Sequence, residues 1–331
     1  MMKNNKSINK LSIAPMMDRT DLHYRNMMRL INKDVVLYTE MIHANAILHD
    51  KNNRFDIENE CEGPTVLQIG CSDPIQANKL SKKIKNYHFS EINLNCGCPS
   101  DRVVNGEFGA ALMKKPELVS EIIEALKEHI DIPITIKTRI GVDNYDNKNF
   151  LFNFINITQK KAIKSYIIHA RKAILRGLSP HQNRTIPPLN YERVQYIKNS
   201  FKHIKFIING GINSFETSKK LLNTFDGIMI GRYAWDNPWA FEKADHLIFG
   251  KRYNPKSRIE LVEKYLNYSQ RYIKIGHTQR RIVKPLFNIL HSYSGSKYWK
   301  QELNDVANNK KPIDSILNII ENIEKKYKIA A

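Results

Sequence analysis

Cys98 is the side chain of this sequence best placed to hand over a proton. It lies in Cys96-Gly97-Cys98-Pro99-Ser100, where a glycine before it and a proline after it force a sharp turn that projects the thiol. With an ordinary pKa of about 8.5, a thiol is mostly protonated at neutral pH and can serve as a general acid. Two blander readings stand beside this one. An inert buried cysteine suits Cys96 better than Cys98. A metal site is disfavoured because Cys96-x-Cys98 has no second Cys or His pair at zinc spacing.

Other candidates gather around the same kind of position. Lys137 and Arg139 alternate within Ile134-Thr135-Ile136-Lys137-Thr138-Arg139 and therefore share one face of an extended segment. A charge there needs a partner or a ligand, because burying it alone is costly. It faces either an acidic residue on a covering helix or an anionic ligand. His169 and Arg171 share a face in the same way. Asn209-Gly210-Gly211 and Gly231-Arg232 place small residues where backbone N–H groups can approach an anion, which implies a phosphate-bearing cofactor.

These residues need elements to position them. Eight short β-branched runs are expected as strands: Leu11–Met16, Val35–Met41, Thr65–Gly70, Phe89–Asn95, Ile134–Ile140, Tyr166–Ala170, Phe206–Asn209 and Gly227–Ile230. Most lack polar alternation, as strands buried on both faces do, and amphipathic stretches such as Pro116–Ile130 separate them. Eight βα units in about 250 residues point to an α/β fold, a (β/α)8 TIM barrel, with a doubly wound open sheet as the rival. In such a barrel the C-terminal strand ends carry the chemistry, and here they are polar. They include Pro15, Met16, Met17 and Asp18 at the end of the first run, Gln68 in the third and Asn93, Asn95 and Cys98 at the fourth. Inside the mouth, Lys137 has the charge to stabilise an anionic reduced flavin.

Strand signals stop near residue 250, so residues 1–250 are expected as the barrel and 251–331 as an all-helical domain. The whole chain of 331 residues carries a net charge of +19, and Lys251–Lys300 alone holds 12 Lys or Arg against Glu260 and Glu263, a net +10. Lys, Asn and Ile are abundant throughout, as in the products of AT-rich genomes, but that bias would spread the charge evenly. Its concentration beside Tyr253, Tyr265, Tyr268, Tyr272, Tyr298 and Trp299 favours an RNA partner. Tyr265, Tyr268 and Tyr272 also fit one buried helix face. Four cysteines, no signal-like start and no apolar run of roughly 18 residues suggest a cytoplasmic protein without a membrane span. A monomer with no obligate protein partner is the default expectation.

Taken together, these motifs resemble the bacterial tRNA-dihydrouridine synthases, specifically their A-type branch. The resemblance rests on Ala14-Pro15-Met16-Met17-Asp18-Arg19-Thr20-Asp21, Leu94 to Val103, His169-Ala170-Arg171-Lys172-Ala173, Gly177-Leu178-Ser179-Pro180, Asn183-Arg184, Ile186-Pro187-Pro188-Leu189, Asn209-Gly210-Gly211 and Gly231-Arg232. It implies an FMN-bound barrel that uses NADPH to reduce D-loop uridines at tRNA positions 20 and 20a. A hydride would pass to C6 of the base and a proton from Cys98 to C5. FMN would be held by Pro15, Met16, Met17, Gln68, Lys137, His169, Asn209, Gly210, Gly211, Gly231 and Arg232, and tRNA by Asn95, His181, Arg184, Lys297 and Lys300. Lys297 and Lys300 stand where the family usually has arginine, which keeps the charge and gives up bidentate phosphate contact. Pro285 replaces a glycine of the family pattern and should kink or end a helix. A flavin barrel acting on free pyrimidines would need no basic tail, and a non-catalytic tRNA binder would have no use for Cys98, Lys137 and His169.

Overall fold

The computed structural model describes residues 10–51, 63–100 and 106–327. Cys61 and the Asp101 to Val103 part of the fourth-strand motif lie outside them. Eight strands, β1 (Leu11–Ile13), β2 (Val36–His43), β3 (Thr65–Gly70), β4 (Glu91–Cys96), β5 (Ile134–Arg139), β6 (Ser165–His169), β7 (Lys205–Asn209) and β8 (Gly227–Ile230), form one closed barrel in chain order. All pairings are parallel, and β1 closes the ring with Ser12 opposite Val36 on one side and Met229 on the other. The open-sheet rival is thereby excluded.

Closure follows from two-sided burial. Outward residues such as Leu67, Ile92, Leu94, Ile136 and Ile168 pack under the helices, whereas Val36, Tyr38, Val66, Ile167, Ile207 and Met229 form a separate apolar cluster inside the ring. Above that plug the interior turns polar. The strand bounds differ from the sequence expectation where the ladder itself decides. β1 stops three residues before Met16: the Ala14 N–H still donates to Ile230 O at 2.8 Å, but Pro15 has no N–H to continue. β2 runs on to His43 through a register shift between Tyr38 and Met41.

Beyond Gly250 the described chain contains helices and no strand. Helix Arg258–Lys274 starts at a Ser257 cap and lies against helix Leu22–Ile31 of the barrel. The joint is polar and buried: His23, fully buried, meets Tyr268 Oη at 3.1 Å through Nδ1 and His277 Nδ1 at 2.8 Å through Nε2. Arg258 sits between the rings of Trp239 and Tyr293, 4.4 and 4.1 Å from their centroids. Tyr265, Tyr272 and Trp299 are core residues. Tyr265 Oη donates to Ile282 O at 2.7 Å, so the packing reading holds for Tyr265 and Tyr272, with Tyr268 half-buried beside them; Trp299, grouped by sequence with the RNA-facing aromatics, is instead buried and its Nε1 donates to Leu286 O at 2.9 Å, while Tyr253 and Tyr298 stay exposed. At Pro285 the α-helix Gln279–Val283 gives way to the 3-10 turn Lys284–Asn288, as its missing N–H requires. Among the described residues no helix is long and apolar enough to cross a membrane.

Candidate active site

The Cys98 turn is held on both its faces. Asn95, the penultimate residue of β4, is 7 % exposed and its Oδ1 accepts from Gly97 N and Cys98 N, both at 3.0 Å. Behind Asn95 the polar side chains inside the barrel form a directed chain. Asn95 Nδ2 donates to Gln68 Oε1 at 2.9 Å, Gln68 Nε2 to Asn93 Oδ1 at 2.8 Å and Asn93 Nδ2 to Thr135 Oγ1 at 2.8 Å. Thr135 in turn donates to the Glu91 carboxylate, which Tyr38 also reaches. Because two backbone N–H groups demand an acceptor from Asn95, every amide below it is oriented in one sense. Each can be fully buried without an orphaned group. Cys98 itself is half-buried, and its Sγ lies 3.4 Å from Ser100 Oγ. Cys96 and Cys71, by contrast, are buried, and desolvation raises the pKa of both thiols.

Cations converge on the same mouth. Lys137 shares its inward strand face with Thr135, and its ammonium has no hydrogen-bond partner among the described residues. Burial first, then Arg139 and Arg184, pull its pKa down to about 7, against an opposing pull from Cys98. His169 is 9 % exposed with a buried, unpartnered Nδ1; burial and the positive charges of Arg139, Lys137, Arg171 and Arg184 hold the imidazole neutral. No carboxylate pairs with Lys137, Arg139, Arg171, Arg184 or Arg232 among the described residues. The ion-pair alternative for Lys137 and Arg139 is therefore not what the fold builds. Arg139 instead donates to three main-chain carbonyls.

The loops after β7 and β8 supply backbone. Gly210 and Gly211 have φ of +106° and +69°, and a Cβ on Gly211 would stand 2.4 Å from Leu189 Cδ1, so only glycine fits this turn. Asn209 Nδ2 donates to Met229 O at 2.7 Å, and Tyr191 Oη to Gly210 O at 2.5 Å. A Cβ on Gly231 would touch only Ala14 Cβ, at 3.7 Å, leaving its backbone open on the mouth side. Pro15 and Met16 are half-buried and Met17 is 55 % exposed; their turn is tied by Met16 N donating to Thr20 Oγ1 at 3.0 Å. A cavity of about 890 Å3 opens at the other, N-terminal end of the strands, lined by Lys33, Pro64, His88 and Phe249, and none of these candidates borders it.

The sequence matches the family model described as "Dihydrouridine synthase (Dus)" over residues 12–327. The chain belongs to the dihydrouridine synthase family. It is 41 % identical over 312 residues to the tRNA-dihydrouridine(20/20a) synthase of Shewanella oneidensis, covering 93 % of each chain. To the protein of that name from Escherichia coli K12 it is 41 % identical over 299 residues, 90 % of this chain and 86 % of the relative. Among solved structures, morphinone reductase shares the barrel fold with a TM-score of 0.50 at 10 % identity, over 76 % of this chain and 89 % of that one.

As a dihydrouridine synthase, the chain is an oxidoreductase, and its expected RNA contacts fall in three places. Asn95 is inside the mouth. His181 precedes and Arg184 ends the 3-10 turn Gln182–Arg184, both exposed, where Arg232 Nη2 donates to Arg184 O at 3.4 Å. Lys297 and Lys300 lie in the first turns of helix Ser296–Ala307, 297 exposed and 300 half-buried, with no ion pair among the described residues. Arg19, not singled out by the sequence, also belongs to the mouth of the synthase: it stacks 5.4 Å from the Trp235 ring centroid and its charge acts on Arg184. No spacing signal reveals it, because Trp235 follows it by more than two hundred residues.

Proposed function

We propose that this synthase holds FMN in the barrel mouth, is reduced by NADPH and converts uridine to 5,6-dihydrouridine at positions 20 and 20a of the tRNA D-loop. The observation that carries the reading is the pair of unsatisfied polar groups, the Lys137 ammonium and His169 Nδ1, in the mouth that also presents the Cys98 thiol. A buried ring nitrogen without a partner, beside a half-buried ammonium with no carboxylate on it, calls for a ligand. A cofactor with a polar ring and a phosphate suits them together with the glycine turn at Gly210 and Gly211 and the open backbone at Gly231.

Bound FMN would supply the hydride for C6 of the uracil ring. In this reading Pro15, Met16 and Met17 form the wall against the cofactor, and Gln68, Lys137 and His169 meet its polar edge. Asn209, Gly210, Gly211, Gly231 and Arg232 receive its phosphate side. Cys98 gives its Sγ proton to C5, and Lys137 balances negative charge on the cofactor. The target base has to leave the RNA stack to enter the mouth, so a second grip on the polyanion is needed. Residues 251–331 supply it through their basic surface, with Lys297 and Lys300 joining Asn95, His181 and Arg184. The setting is cytoplasmic and requires no second protein chain.

The test is direct. Purified protein should show flavin absorbance, and unmodified tRNA treated with it and NADPH should contain dihydrouridine by nucleoside mass spectrometry. A colourless protein that leaves uridine unchanged would sink the reading.

A further inference from the structure

Arg139 closes β5 with 5 % of its surface exposed, yet no carboxylate meets it. Its Nε donates to Gly97 O at 3.0 Å, and its Nη1 to Lys172 O at 3.1 Å and Asn183 O at 2.8 Å. The three carbonyls belong to three different stretches of chain around the mouth. Gly97 precedes Cys98, Lys172 follows β6, and Asn183 precedes Arg184.

Two of the anchors are themselves fixed by packing or hydrogen bonds. The Gly97 turn lies so close on β5 that a Cβ there would stand 3.2 Å from Thr138 C, 3.3 Å from Thr138 Cα and 3.4 Å from Arg139 Cγ. Asn183, fully buried, accepts from Ile174 N through Oδ1 at 2.8 Å and donates to Ile174 O through Nδ2 at 2.9 Å. A planar guanidinium with five donors can serve these carbonyls at once; a lysine ammonium on a flexible stem cannot hold the same fork. We infer that Arg139 is a positioning residue, tying the turn that bears Cys98 to the loop that bears Arg184, so that one side chain sets both the proton donor and an RNA contact.

The inference rests on the proposed function, and the experiment separates the two. Arg139→Lys keeps the charge and removes the fork. It should bind flavin and be reduced by NADPH as the parent is, while kcat on unmodified tRNA falls about 100-fold, the order expected for a misplacement of about 1 Å. Its KM for tRNA should rise several-fold. Gly97→Ala pushes on the same turn without touching the bonds to Lys172 and Asn183, so it should lower kcat and leave KM for tRNA unchanged. Alkylation of Cys98 by iodoacetamide, followed by peptide mass spectrometry, should change rate several-fold in Arg139→Lys. Parent-like turnover and alkylation in Arg139→Lys overturn the inference, as does a loss that merely tracks lost flavin. Should Arg139→Lys fail to fold, Gly97→Ala decides, with a parent-like kcat counting against it. A parent that leaves tRNA uridine unchanged defeats the proposed function, and the alkylation comparison then still decides the role of Arg139.

Discussion

Asn95 holds the Cys98 turn by its backbone: a single Oδ1 accepts the Cys98 N–H and the neighbouring Gly97 N–H at 3.0 Å each, while Nδ2 anchors to Gln68 inside the barrel. Replacing Asn95 with alanine leaves two N–H groups and Gln68 Oε1 without their partner. The expected cost is about 1–3 kcal/mol, the usual penalty for stranded buried polar groups. Urea unfolding of Asn95→Ala against the parent measures it, and equal midpoints would show that the turn holds without the cap.

Cys98→Ala should keep its flavin spectrum and lose roughly 100-fold or more in tRNA turnover, in the range of a positioned general acid. Nucleoside mass spectrometry of timed reactions reads this out. Unchanged turnover in a flavin-loaded Cys98→Ala protein removes the thiol from the mechanism.

Lys137 gives the flavin-free protein a pH signature. Burial lowers its folded pKa to about 7, below the ordinary 10.5, so between these values the unfolded chain binds more protons than the folded one. Stability therefore rises with pH across that window, and the penalty is fully present below it. Unfolding midpoints of flavin-free parent and Lys137→Met, taken at several pH values in the window, should differ in slope, with the variant flatter. Parallel slopes would mean that Lys137 is not desolvated in the folded protein.

On the acid side His23 acts at the joint between the barrel and the C-terminal helices. Burial, then the charge of Arg281 and the presence of His277 and Arg25, bring its pKa down from 6.5 to about 3. The unfolded chain takes up this proton first, so stability falls as pH drops from 6.5 towards 3. His23→Gln should flatten that part of the acid-unfolding curve. An unaltered acid slope argues that the joint opens to water before His23 titrates.

The cationic surface predicts a steep salt dependence of tRNA binding. Each phosphate contact contributes roughly 0.7–0.9 to the slope of log affinity against log salt. Lys297→Gln and Lys300→Gln should each reduce that slope by somewhat under 1 if each meets one phosphate. Filter binding over a salt series tests this, and slopes matching the parent place the RNA elsewhere.

Much of the barrel was legible because its strands are buried on both faces. The runs at Thr65–Gly70 and Gly227–Ile230 agree with the strands residue for residue, since β-branched and apolar side chains dominate both and the one polar residue, Gln68, is bonded inside the barrel. Misjudged ends have local causes, such as the missing N–H of Pro15 and the register shift in β2. The aromatic residues of the C-terminal region were ambiguous in sequence because a tyrosine suits a core and an RNA surface equally well. Burial alone separates Tyr265 and Trp299 from Tyr298.

From sequence alone came the residue types and their order along the chain: a thiol between glycine and proline, alternating cations, glycine pairs and a concentrated basic stretch. Those are properties of neighbours, and strand periodicity carries them reliably over a few residues. Tertiary structure decided which partners these residues have. That Arg139 grips Gly97, Lys172 and Asn183, that Asn95 looks back to Gln68, and that His23 meets His277 are pairings between distant segments. They exist only once the barrel closes and the C-terminal helices dock on it, because closure brings eight loops to one rim, docking brings His277 to His23, and each buried donor is left a specific acceptor.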